Sequence, residues 1–145
     1  MKEGKKAAFR FDRFHIPEFS FKEVPDSTDE KISIRFEPSG IYNPENGVFK
    51  LTVNFIASAD AEGEQEMIRS SFIAYFEFDE KIPLEEIPVY FYRNSLAIVF
   101  PYIRSFVSNL TMQANIKLII LPVLNLSELE APLKANTIIE GAISS

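Results

Sequence analysis

The chain has 145 residues, is 46% hydrophobic and 25% charged, and carries a net charge of −6. That length suits one domain with a core that needs no staple, and the acidic balance speaks against unspecific nucleic-acid binding, which needs a cationic footprint. Cysteine is absent, which excludes disulfides and thiol chemistry and fits a reducing compartment.

The opening MKEGKKAAFRF is basic but lacks the apolar stretch of a signal peptide, and the longest apolar runs fall short of a membrane span. A cytoplasmic protein that does not insert into membranes is expected. Phe occurs 14 times and Trp never. A Phe-filled sheet would absorb many of these rings; a surplus would form an interface or a binding groove. Only five Gly occur, so two-residue glycine hairpins should be few.

Residues 8–24, AFRFDRFHIPEFSFKEV, alternate apolar and polar but slip phase twice, which predicts a strand with bulges or bends near residues 12–13 and 17–18. Pro17 places that strand at an edge or interrupts it. PDSTDE, 25–30, is a polar loop. KISIRFEP predicts a second strand with Ile32, Ile34 and Phe36 on one face, and IYNPENG, 41–47, a turn. VFKLTVNFIASA predicts a third strand, with Phe49, Leu51, Val53, Phe55 and Ala57 facing inward. MIRSSFIAYFEF predicts a fourth, with Ile68, Phe72, Ala74, Phe76 and Phe78 on one face. The period then changes. Residues 84–94 read as a linker with room for one helical turn. Leu96, Val99, Ile103, Phe106, Val107 and Leu110 form one apolar stripe of a helix over 96–112, with Pro101 in or near its first turn. IKLIILPVLNL, 116–126, is a buried strand or packed loop, and SELE caps a short helix with Ser127. The fold expected is α+β: a four-stranded antiparallel sheet with a long C-terminal helix and a short helix packed on one face. Residues 1–8 are expected to be disordered, 9–133 to form one domain and 134–145 a flexible tail.

No chemistry stands out. The single histidine, His15, offers no metal site and no triad, and reads as a strand residue. No glycine-rich phosphate loop occurs. Asp26, Asp29 and Glu30, and likewise Asp60, Glu62, Glu64 and Glu66, lack calcium-loop spacing and read as solvated loop charge. An enzyme is not expected, nor a cofactor or metal. The surplus of apolar surface, which one helix covers only in part, points instead to an interaction protein.

One stretch carries a family likeness. Phe100, Pro101, Tyr102 and Arg104, then Ser108, Leu110 and Thr111, then Leu121, Pro122, Asn125 and Leu129, match in register and without gaps the late helix and connecting loop of the SecB protein-export chaperones. More loosely, FRFDRFHIPEFSF resembles that family's first strand. Over residues 9–130 the chain therefore resembles the SecB family. The resemblance implies the sheet-and-helix fold above and a homotetramer built as a dimer of dimers. It implies unfolded polypeptide or preprotein clients held without ATP. It places peptide binding at Phe19, Phe21 and Val24 at the end of the first strand and at Ile119, Leu121 and Val123 in the loop, and docking of the export translocase motor at Glu18. Two departures stand out. Ala114, Asn115, Ile116, Lys117 and Leu118 replace the family's Gly-Gly-Phe-Pro-Pro, and Lys22 and Arg69 stand where acids are expected, which opposes an electrostatic motor contact. Alternatives are a dedicated single-partner or toxin–antitoxin-associated chaperone, and a non-chaperone binding protein on the same fold.

Overall fold

The computed structural model describes residues 8–24, 32–60, 62–114, 121 and 125–141. In chain order they form β1 (Phe9–Phe21), β2 (Ser33–Asn43), β3 (Val48–Ser58), β4 (Glu66–Phe78), a 3-10 turn (Leu84–Glu86), α1 (Val89–Gln113), α2 (Ser127–Ala135) and β5 (Thr137–Ile139). The sheet order is β1-β4-β3-β2-β5. The first four strands pair antiparallel, while β5 runs parallel to β2. The sheet is therefore mixed and five-stranded, not the four-stranded antiparallel sheet expected. The fifth strand falls within the stretch expected to be tail. Three residues are too few to show an alternation, and their pairing depends on where α2 delivers the chain.

The phase slips of β1 are real: its register on β4 shifts between Phe11 and Arg13 and again between His15 and Glu18. These bulges return Phe9, Phe11, Phe14, Ile16 and Phe21 to the same side of the sheet. β2 runs further than expected, through Pro38 and into the segment read as a turn. Pro38 is tolerated because β2 is an edge strand there, β5 covering only Gly40, Ile41 and Tyr42. Residues 44–47 then turn the chain, with Gly47 at φ 75°, a conformation that costs glycine little.

One face of the sheet is covered by α1. Phe49, Leu51, Phe55, Ile68, Phe72 and Phe76 are fully buried against Phe91, Val99, Ile103 and Val107 of the helix. Phe91 is the hub, with its ring 4.8 Å from those of Phe9, Phe49 and Phe78 and 5.6 Å from Phe76. α1 starts at Val89, not near Leu96. The residues that hid this, Val89 to Tyr92, are β-branched or aromatic and weak helix formers; burial of Phe91 and Tyr92 overrides propensity. Pro101 therefore lies inside the helix rather than in its first turn. It denies the Ala97 carbonyl its partner, and both residues lie on the exposed side, where water can take over that bond. The start of α2 also differs. Its N-cap is Leu126, with no side-chain cap, and the Asn125 side chain accepts from the Ser127 N–H at 3.2 Å. No helix among the described residues is long and apolar enough to cross a membrane.

Candidate functional site

α1 lies over β3 and β4 and leaves a seam along β1. There, Phe14 stacks on Tyr102 at 4.9 Å and Phe11 lies 5.8 Å from the same ring. One helical turn on, Phe106 stands edge-on to Phe19 at 5.3 Å and to Phe72 at 5.7 Å. The two clusters form one aromatic band, and its outer members stay in water: Phe19 is 53% exposed and Tyr102 47%. Beneath Phe19 its cross-strand partner Ser70 is 1% exposed, and its hydroxyl has no hydrogen-bond partner among the described residues.

Of the residues expected to bind peptide, Phe19 and Phe21 share this seam, opposite Ser70 and Ile68 of β4. Val24 is half-buried just beyond, where the Lys22 N–H still bonds the Met67 carbonyl at 2.8 Å. Leu121 is 2% exposed and packs in the core. Ile119 and Val123 lie outside the described residues. Reading the sequence by elements missed Tyr102 and Phe106 as partners of β1. Their i, i+4 spacing puts them on one helix face, but only the docking of α1 shows that β1 runs beneath it.

The opposite face of the sheet is open, and its charges largely cancel in pairs. Arg69 donates to Glu66 through Nε at 3.0 Å and Nη2 at 2.7 Å; Arg35 pairs with Glu37 at 2.9 Å, and Arg10 with Glu77 at 2.5 Å. The Arg69 hydrogen bonds hold the Glu66 carboxyl below its ordinary pKa. Arg13 lies 4.1 Å over the Tyr75 ring, on which His15 also stacks. Glu18 belongs to this face, opposite Ser71. Asp60 accepts from the Gln65 and Glu64 N–H groups at 2.9 and 3.2 Å, which closes the β3–β4 turn and lowers its pKa. Burial raises the Tyr42 and Tyr92 hydroxyls. Among the described residues no group of His, Asp and Glu could hold a metal ion.

What the arrangement offers is a strip of partly wetted aromatic surface bordered by strand backbone. No family model matches the chain. A Methanocaldococcus jannaschii protein, the uncharacterized protein MJ0357, is 30% identical over 143 residues, spanning 90% of this chain and 88% of that one. The chain belongs to the MJ0357 family. Among solved structures, this MJ0357-family chain superposes on the Mycobacterium tuberculosis SecB-like chaperone Rv1957, determined in complex with a ChAD peptide from the Rv1956 HigA1 antitoxin. The TM-score is 0.63 at 18% identity, over 81% of this chain and 91% of that one. The fold is thus SecB-like. A protein of unknown function from Streptococcus agalactiae matches at a TM-score of 0.48 and 8% identity, over 82% of this chain and all of that one, too weakly to carry weight.

Proposed function

We propose that the protein is a SecB-like holdase, binding unfolded polypeptides without ATP. The observation that carries this reading is the aromatic seam. Large rings that a folded monomer would bury are left half in water along a strand margin, and such surface marks an interaction site. Apolar surface beside strand backbone suits extended chains, which dock side chains in apolar pockets and pair their main chain at edges. The SecB-like fold, seen in a neighbour bound to an antitoxin peptide, supports the same reading. Phe19, Phe21 and Val24 form the accessible wall of the seam.

The proposal includes assembly into a homotetramer. The outward stripe of α1, with Tyr90, Asn94, Ala97, Pro101, Ser105, Asn109 and Met112, carries no charge and exposes 60% of Met112, which suits helix packing between copies. Motor docking through Glu18 is disfavoured, because on that face Arg10, Arg35 and Arg69 neutralise Glu77, Glu37 and Glu66 while Arg13 and Lys50 add positive charge, so no acidic patch surrounds Glu18.

The test is light scattering of a chemically denatured client diluted into buffer without nucleotide. An equimolar amount of the purified oligomer should suppress aggregation, and a Phe19→Ser/Tyr102→Ser variant of unchanged thermal stability should lose most of that effect. Scattering that the unaltered protein leaves unchanged would refute the holdase reading.

A further inference from the structure

The β2 margin of the sheet is closed by a strap, not by a full strand. β2 has 11 residues, yet β5 pairs with only Gly40, Ile41 and Tyr42. The root of the strap is firm: Leu133 of α2 is fully buried, and Thr137 Oγ1 donates to its carbonyl at 2.6 Å. The tip is held lightly. The Gly40 N–H donates to the Asn136 carbonyl at 3.2 Å and the Glu140 N–H to the Tyr42 carbonyl at 2.8 Å, with Asn43 Nδ2 reaching Glu140 at 3.3 Å.

The side chains of β5 do not fill the space they border. Thr137 lines an open cleft of about 340 Å³ with Leu84, Ile87, Tyr92, Glu85 and Lys134, and Ile139 another of about 280 Å³ with Ile82, Leu84, two prolines, Lys81 and Glu85. Ile138 points to the open face of the sheet, opposite Ile41, and is 37% exposed. A three-residue strand flanked by open clefts of mainly apolar surface is the part of a sheet most easily exchanged for another strand.

We propose that β5 is a displaceable occupant of the β2 edge, and that an extended, apolar-rich segment of a bound polypeptide takes its place. This rests on the polypeptide-holding reading above and adds to it a second contact, at the far margin from the aromatic seam. The incoming segment pairs its main chain with Gly40–Tyr42 and sets alternate side chains into the two clefts. The strap keeps the edge covered when no client is present, and so lowers the apparent affinity by the fraction of time it is seated.

A disulfide staple tests this in the full-length chain. The protein has no cysteine, so within one chain Ile41→Cys/Ile138→Cys can form only the β2–β5 bond, between directly paired positions whose strand spacing lies within disulfide reach, and non-reducing gels set aside any chain-to-chain product. The probe is reduced, carboxymethylated lactalbumin, which stays unfolded and cannot exchange disulfides. The oxidised variant should bind it about tenfold more weakly than the same protein after reduction, the change expected if the strap yields to the client. Ile138→Pro, which weakens the pairing, should bind more tightly than the unaltered protein. Equal binding by the oxidised and reduced forms overturns the strap while leaving the holdase reading intact. Failure of the unaltered protein to bind the probe overturns both.

Discussion

The two long margins of the sheet use the same residue types in opposite ways. Along β1, Phe11, Phe14 and Phe19 meet Tyr102 and Phe106 at the surface, and two of these rings stay about half exposed. Along β2, Tyr42 is fully buried with Phe49 of β3 and Tyr92 of α1, the Tyr42 hydroxyl donates to the Ile82 carbonyl at 2.7 Å, and a short strand closes the edge. A Phe-rich strand alternates in the same way whether its rings meet a helix or water. What separates core from candidate site here is where α1 lies, since it covers β3 and β4 fully and β1 only along one side.

The sharpest way to break that comparison is to remove one ring from each environment. Phe91→Ala takes out the hub of five ring contacts and should cost about 3–5 kcal/mol, read as a large fall in the urea midpoint or outright unfolding. Phe19→Ala removes a ring already half in water and should cost under about 1 kcal/mol. If Phe19→Ala destabilised the fold as much as Phe91→Ala, the seam would be core and no longer a candidate site.

At the other margin, Gly40 separates the seated strap from a displaced one. A Cβ there would lie 2.4 Å from the ring of Phe49 and 2.8 Å from Thr137 Oγ1. Phe49 is fully buried, so the strain should fall on the β2–β3 packing as well as on β5, and β5 is the part that can yield. Gly40→Ala should cost about 1–3 kcal/mol, as overpacked sites do. It should also speed proteolysis after Asn136 while β1 to β4 resist. Cleavage no faster than in the unaltered chain would mean that the strap is part of the rigid fold.

These two margins also differ in how far the sequence reveals them. The four long strands and both bulges of β1 are legible, because period-two alternation and its slips show directly in Phe9, Phe11, Phe14 and Phe19. Phe19 and Phe21 can be placed on that strand, but only the family resemblance singles them out from core residues. Their partners Tyr102 and Phe106 cannot be identified, since nothing local to α1 says which strand it crosses. Nor can the burial of Leu121 be told from exposure within a continuous apolar run. The start of α1 is hidden because Val89–Tyr92 form a helix only through what Phe91 buries. β5 is hidden because its pairing is long-range and three residues long.

The smallest expected effect concerns the open face that joins the margins. Glu66 and Arg69 share two hydrogen bonds, but their side chains are 40% and 50% exposed. Water and salt screen such a pair to under about 1 kcal/mol. The Glu66 pKa is lowered, chiefly by the Arg69 hydrogen bonds. Its contribution is therefore present above the ordinary carboxylate pKa and is lost as pH falls through the lowered, folded value. Glu66→Gln should leave client binding unchanged and remove a small part of the acid sensitivity of the thermal midpoint below about pH 4.5. A loss of several kcal/mol at neutral pH would show that the open face is a structural network rather than a solvated surface, and would move the contrast between the margins onto the face between them.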